Sequence, residues 1–174
     1  MPGYRIRSLK AAEFKDVSEA LTEVLIDCVE GGASVSFMHP LDRDKASAFW
    51  LSVGQSVARG ERTVIVAEDE QGTIVGTVQL ITNQPENQPH RADVAKLLVH
   101  SGARRKGIAQ RLMAYLEAVA TTQGKSVLVL DTATGSDAET FYQNMGWLRV
   151  GDLPFYALMP DGSPCSTTFY YRQL

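Results

Sequence analysis

"VHSGARRKGIAQRLM", residues Val99–Met113, decides how this chain folds. An apolar, strand-like run stops, three consecutive cations and a glycine follow, and a helix-like pattern begins at Ile108. A strand that feeds a tight turn and then a helix leaves the first N–H groups of that helix unpaired, at the positive end of its dipole. Such an end binds phosphate or pyrophosphate. Gly107 lets a ligand approach the backbone, Ala109 keeps the next contact position small, and Arg104, Arg105 and Lys106 add full charges. Taken alone, the stretch reads equally as a solvated basic turn. Other phosphate motifs fail here: the chain has neither GxxxxGK[ST] nor GxGxxG.

The flanks supply the fold. Upstream, "ADVAKLLV" is a mostly apolar strand, and "RTVIVAED" and "TIVGTVQLI" form a hairpin about "EQG". "YRIRSL" alternates like a half-buried strand. Phe14, Val17, Leu21, Val24, Leu25 and Cys28 then recur at helical spacing up to the Gly31-Gly32 stop. Ala46, Phe49, Trp50, Val53 and Val57 mark a second helix over about 43–59. Downstream, Ile108, Leu112, Tyr115, Leu116 and Val119 mark a third, closed by Gly124. "SVLVLDTA" is a buried strand, "SDAETFYQNMG" a short helix, and "WLRVGDL" and "STTFYYRQL" are final strands around the turn "MPDGSP". This order predicts a three-layer mixed α/β (α+β) sheet domain.

Composition narrows the function. With 174 residues, 44% of them hydrophobic, the chain can bury a substantial core, so a single domain over 1–174 is expected. A net charge of -3 gives no long-range attraction for nucleic acid or an anionic membrane. No apolar run approaches the roughly 18 residues of a membrane span, and the opening residues lack a signal-peptide core. A cytoplasmic protein with neither nucleic-acid nor membrane partner is therefore expected. Cys28 and Cys165 lie far apart, and His39, His90 and His100 have no ligand spacing, so neither disulfide nor metal is expected.

"LLVHSGARRKGIAQRLM" resembles the signature of the GNAT superfamily of N-acetyltransferases, a Leu-x-Val strand end, a short loop, then [Arg/Gln]-x-x-Gly-x-[Gly/Ala]. Arg104, Gly107 and Ala109 occupy the three motif positions. Downstream, "AETFYQNMGW" is similar to the family's "FYxxxGF" segment, with Trp147 in the last position. The resemblance implies a central, mostly antiparallel sheet of six to seven strands with about four helices. It also implies acetyl-CoA as donor, its pyrophosphate on the backbone of Arg105, Lys106, Gly107, Ile108 and Ala109, and its pantetheine along Leu97, Leu98 and Val99. Many members carry an Asn seven residues before the motif tyrosine; here that position is Gly135, and Asn144 is the candidate substitute. More narrowly, "EGGASVSFM", "LDTATGSDAETFYQNMGW" and "VGDLPFYALMPDG" look like the tabtoxin-resistance group, which implies a small, amino-acid-like amine as acceptor. Many relatives dimerise through their final strands, so a homodimer is a further expectation.

Acetylation of an amine makes three demands. An alkylammonium of pKa near 10 is only about 0.1% deprotonated at pH 7, a cost of roughly 4 kcal/mol unless a base or a desolvating site helps. Asp93 and Asp131, at the start of one buried strand and the end of the next, are the candidates; as alternatives, Asp93 caps a strand end and Asp131 holds a turn. Charge developing on the carbonyl oxygen needs a donor, and the N–H of Val99 or Leu98 serves if a bulge splays the strand. The departing thiolate needs a proton or a hydrogen bond. Tyr142 matches the family's tyrosine and is the catalytic candidate; otherwise it packs a helix against the sheet. His100 is read as structural or solvent-facing.

"GGASVSFMHP" is the candidate substrate loop, with Ser34, Phe37 and Met38 against the substrate, or else a helix stop with an aromatic plug. Asp42 and Asp44 either attract an amine or cap the second helix. A peptide or protein acetyltransferase and a noncatalytic CoA-binding regulator are the alternative functions.

Overall fold

Two of the strands carry apolar residues on both faces, and that is where the sheet is covered twice. The computed structural model describes residues 3–174. In β2 (Arg62–Glu68), Val64 and Val66 face one core while Ile65 and Ala67 face the other. In β3 (Ile74–Ile81), Ile74 joins the first core and Val78 and Leu80 the second. The first core is closed by α1 (Phe14–Glu30) and α2 (Arg43–Ala58), the second by α3 (Ile108–Thr122) and α4 (Asp137–Asn144). Leu21, Val24, Leu25 and Cys28 on α1, and Ile108, Leu112, Leu116 and Ala120 on α3, lie on stripes of helical period facing the sheet. Asp42 caps α2 by accepting from the Lys45 N–H at 2.9 Å, which decides its role between capping and amine attraction.

Seven strands form one sheet in the order β1-β2-β3-β4-β5-β7-β6, with β1 (Arg5–Ser8), β4 (Arg91–Val99), β5 (Val127–Ala133), β6 (Leu148–Leu158) and β7 (Pro164–Gln173). All neighbours are antiparallel except β4 and β5. Those two pair only at Arg91↔Val127, Ala92↔Leu128 and Asp93↔Val129, and diverge beyond. Opposite β3, the β4 register slips by one residue between Leu98 and Ala95, and Lys96 takes the left-handed conformation at φ 56°. The extra residue flips the strand: Val94 faces the α3 core and Leu98, four residues on, faces the α1 core. An unbroken period of two would have put both on one face.

The last strands differ from the sequence reading. β6 continues past "WLRVGDL" through Leu158, crossing Pro154 with an irregular register between Leu153 and Ala157. Proline is tolerated there because β6 is an edge strand and its outward N–H positions owe no ladder bond. Leu148, Val150, Phe155 and Leu158 are exposed along it.

Gly54 on α2 tests the α1–α2 packing. A Cβ there would lie 2.8 Å from the Cβ and Cγ of Phe14, at the start of α1. Gly54→Ala gains about 1 kcal/mol of helix propensity but overpacks by about 1–3 kcal/mol, so the expected result is net destabilisation of about 1 kcal/mol in denaturant unfolding. A more stable variant would show that Phe14 yields at no cost.

Candidate active site

The divergence of β4 from β5 opens a cavity of about 230 Å³ in the middle of the sheet. Val94–Leu98 form one wall, Leu130–Ala133 the other, Tyr142 of α4 closes one end, and Gly32–Val35, after α1, cover it. A second compartment of about 330 Å³ shares Ser34 and Asp131–Ala133 with the first and adds Ser36, Met38, Tyr156, Leu158 and Thr167. Asp131 stands at the junction, its Oδ2 accepting from the Thr167 hydroxyl at 2.7 Å.

Tyr142 is buried, packed at 5.2 Å from Phe141 and 6.0 Å from Trp147, and its hydroxyl makes no hydrogen bond among the described residues. Burial first, and the charge of Asp131 second, push its pKa well above the ordinary tyrosine value. The phenol therefore stays protonated and keeps its donor free. Both readings of the sequence, packing and chemistry, are compatible with this place.

The backbone of β4 supplies a second donor. His100 donates its N–H to the Val75 carbonyl at 2.8 Å, and Gly76 pairs with Val99 in the same register. Alternation in an antiparallel ladder then makes Gly76↔Val99 a non-hydrogen-bonded pair, with the Val99 N–H turned away from β3 toward the gap. Leu98 pairs with Thr77 in the next register position, where the alternation turns its N–H toward β3, so of the two candidates only Val99 offers an outward N–H.

At the start of α3, Gly107 is in the left-handed conformation at φ 74°, and no side chain caps the helix. The first-turn N–H groups face a hollow of about 320 Å³ lined by Val99, Arg104, Arg105, Gly107, Ile108, Ala109 and Phe141. These features fit a pyrophosphate: free amides, open space beside Gly107, and the Arg105 guanidinium, which forms no ion pair among the described residues. Arg104 folds back instead, donating from Nε to the Val99 carbonyl at 3.1 Å and lying 4.0 Å from Asp27. Lys106 reaches the Gly102 carbonyl at 3.4 Å and lines none of the three hollows.

Three other expected positions, Asp93, Asn144 and Phe37, fall outside the cavities, while His100 takes the structural place read for it. Asp93 lies where β4 still pairs with β5; it is held by an ion pair with Arg91 and by the Gln84 amide at 3.0 Å. A base must reach the reacting amine, and Asp93 is committed elsewhere. Asn144 is exposed at the last residue of α4 and lines none of the three hollows. Phe37 is the aromatic plug of the alternative reading, its ring edge-on to Phe49 at 5.2 Å. His100 caps the turn Ser101–Ala103, its Nδ1 accepting from the Gly102 N–H at 3.1 Å.

Two residues that sequence reading passed over shape the site. Asp27 of α1 accepts from both the N–H and the hydroxyl of Ser101 at 2.7 Å, pinning the basic turn to the helix. Burial works against its charge, but these bonds and the nearby His100 and Arg104 hold its pKa below the ordinary carboxylate value. Lys96 sits on the bulge inside the cavity wall. Its signal was present: it is the one cation inside the apolar run "VAKLLV". Among the described residues no set of three His, Cys, Asp or Glu side chains converges on a metal site, and no helix is long and apolar enough to cross a membrane.

Comparison with known proteins shows the family and the fold. The model of the acetyltransferase (GNAT) family matches residues 20–147. The chain is 30% identical over 129 residues to an uncharacterised N-acetyltransferase of Azospirillum brasilense from a hisH–hisA intergenic region, covering 73% of this chain and 72% of that one. Among solved structures, an N-acetyltransferase of Staphylococcus aureus Mu50 superposes with a TM-score of 0.79 at 21% identity, over 98% of both chains. The yncA protein of Salmonella typhimurium, solved with acetyl-CoA, superposes at 0.77 with 20% identity, over 99% of this chain and 94% of that one.

Proposed function

Because the chain belongs to the GNAT family of acetyltransferases and is an acetyl-CoA-dependent N-acetyltransferase, we propose that it acts as a single cytoplasmic domain on the amine of a small, amino-acid-like molecule, which attacks the donor directly. Bound acetyl-CoA supplies the thioester carbonyl. The observation that carries the acceptor class is the pair of small compartments with Asp131 at their junction and Ser34 and Met38 in their lining. Compartments of a few hundred Å³ suit a small ligand rather than a folded protein surface. The segments similar to the tabtoxin-resistance group support the same acceptor.

In this reading Asp131 takes the proton from the ammonium, directly or through a water, and Thr167 fixes the carboxylate by donating to Oδ2. The Val99 N–H stabilises charge developing on the carbonyl oxygen. Tyr142 donates to the departing sulfur. The amides of the first turn of α3 and Arg105 hold the pyrophosphate, with Leu97 and Val99 alongside the pantetheine. The exposed apolar row on β6 supports a homodimer, which sedimentation equilibrium would detect as twice the chain mass.

The test is continuous thiol release from acetyl-CoA against amino acids, tabtoxinine-β-lactam, polyamines and peptides, with Asp131→Asn alongside. Turnover with one small amine, and a kcat loss of roughly 10²-fold or more in the variant, is the expected result for a general base. Turnover confined to peptides would overturn the acceptor class. A rise in KM with kcat unchanged would make Asp131 a binding residue only.

A further inference from the structure

Lys96 is a cation without an anion. Its ammonium lies 3.3 Å from the Ser36 hydroxyl and 5.9 Å from the centre of the Phe49 ring, and it forms no ion pair among the described residues. The bulge in β4, with Lys96 itself at φ 56°, puts this residue in the wall of the cavity that also holds Asp131 and Tyr142. Ser36, its hydrogen-bond partner, is also in the left-handed region, at φ 79°, and lines the adjoining compartment. Two rarely used backbone conformations thus converge to hold one ammonium at the junction of the two compartments.

Keeping a charge there is costly. Burial lowers the Lys96 pKa, the charge of Asp131 opposes this, and the like charge of Arg62 on β2 adds to it. Partly desolvated ammonium groups are stable when paired and hydrogen-bonded; a hydroxyl and an aromatic face supply only part of that. Once a substrate ammonium occupies Asp131, the carboxylate that supports Lys96 is neutralised, and the lysine needs an anion of its own more strongly. The other groups facing it from the loop and from α2, Ser36 and Phe49, are neutral.

Resting on the amine-acetylation reading above, we propose that Lys96 binds the acid group of the acceptor, so that the site takes a zwitterion with its amine at Asp131 and its carboxylate at Lys96. Lys96 is then the residue that selects amino acids over simple amines and polyamines. A polyamine would bring a second cation toward the lysine and is disfavoured by like-charge repulsion.

The test separates recognition from turnover. Titration calorimetry with CoA present compares a panel of N-acetyl amino acids with the matching N-acetyl amino acid amides, on the wild type, Lys96→Met, Lys96→Gln and Ser36→Ala. The wild type is expected to bind at least one acid roughly 10- to 100-fold more tightly than its amide, the effect of one charge-assisted hydrogen bond. In both Lys96 variants that ratio should fall to about 1, and in Ser36→Ala it should fall part of the way. Thiol release with free amino acids and their amides should show the same ratio in kcat/KM, carried by KM. Equal binding of every acid and its amide by the wild type, or a ratio that survives both Lys96 substitutions, would overturn the inference. If no amine is acetylated yet the acid preference in binding depends on Lys96, the acceptor reading fails and the acid site stands.

Discussion

Tyr142→Phe is expected to lower kcat for acetyl transfer by roughly 10- to 100-fold while leaving the melting temperature and the affinity for acetyl-CoA near those of the wild type. The ring contacts with Phe141, Trp147 and Tyr170 survive the substitution, so the core is not disturbed. Only the hydroxyl is lost, and it has no partner among the described residues to leave unsatisfied. The direction of its pKa shift decides what the hydroxyl does. An ordinary thiol has a pKa near 8.5 and an ordinary tyrosine near 10. Burial raises Tyr142 further, so complete transfer of its proton to a thiolate is uphill. Hydrogen-bond donation to sulfur as charge builds there is the favourable role, and one charge-assisted bond of about 1.5–3 kcal/mol gives the stated range. Single-turnover measurements with saturating acetyl-CoA provide the check. A variant with wild-type kcat would reduce Tyr142 to packing and leave the sulfur to solvent.

The largest effect on stability is expected at Trp50. Its side chain is fully buried between α1 and β2, and its ring meets Phe49 at 5.0 Å and 68°. Trp50→Ala removes the bulkiest side chain of that core, and such truncations cost about 3–5 kcal/mol, a fall of roughly 10 °C in melting temperature for a domain of this size. Trp50→Phe is the informative partner. The indole Nε1 has no hydrogen-bond partner among the described residues, so phenylalanine discards an unpaired buried donor while keeping an aromatic plane. Its expected cost is about 1 kcal/mol in urea unfolding. Equal losses in the two variants would mean that the indole N–H, rather than the filled volume, is what the core depends on.

The sequence determined the elements, their order and the covering of the sheet on both sides. Helical stripes such as Leu21-Val24-Leu25-Cys28, the unbroken runs of β2 and β3, and the basic turn into α3 are local patterns, and a period of 3.6 or 2 is set by the geometry of the chain itself. Tyr142 could be named from its match to the family's FYxxxG segment, and Val99, Gly107 and Asp131 from local pattern, each at a fixed offset from a strand end or a helix start. Asp93 was named by that logic too, and it fails because being near the end of a strand does not say where the strand stops pairing. β4 and β5 separate only after Asp93↔Val129, so Asp93 stays with Arg91 and Gln84 while Lys96, three residues on, enters the cavity.

Only the tertiary structure decided which of these residues share a site. The bulge opposite Val78 is a mismatch between two strands, invisible in either alone, and it changes which face every later β4 residue presents. The same holds for Phe37, which follows Phe49 into the core, and for Asp27, which reaches Ser101 across 74 positions of sequence. Local propensity acts over a few residues, whereas the divergence of two parallel strands and the register of a bulge are properties of pairs of segments, fixed only when the two sides of the sheet are packed.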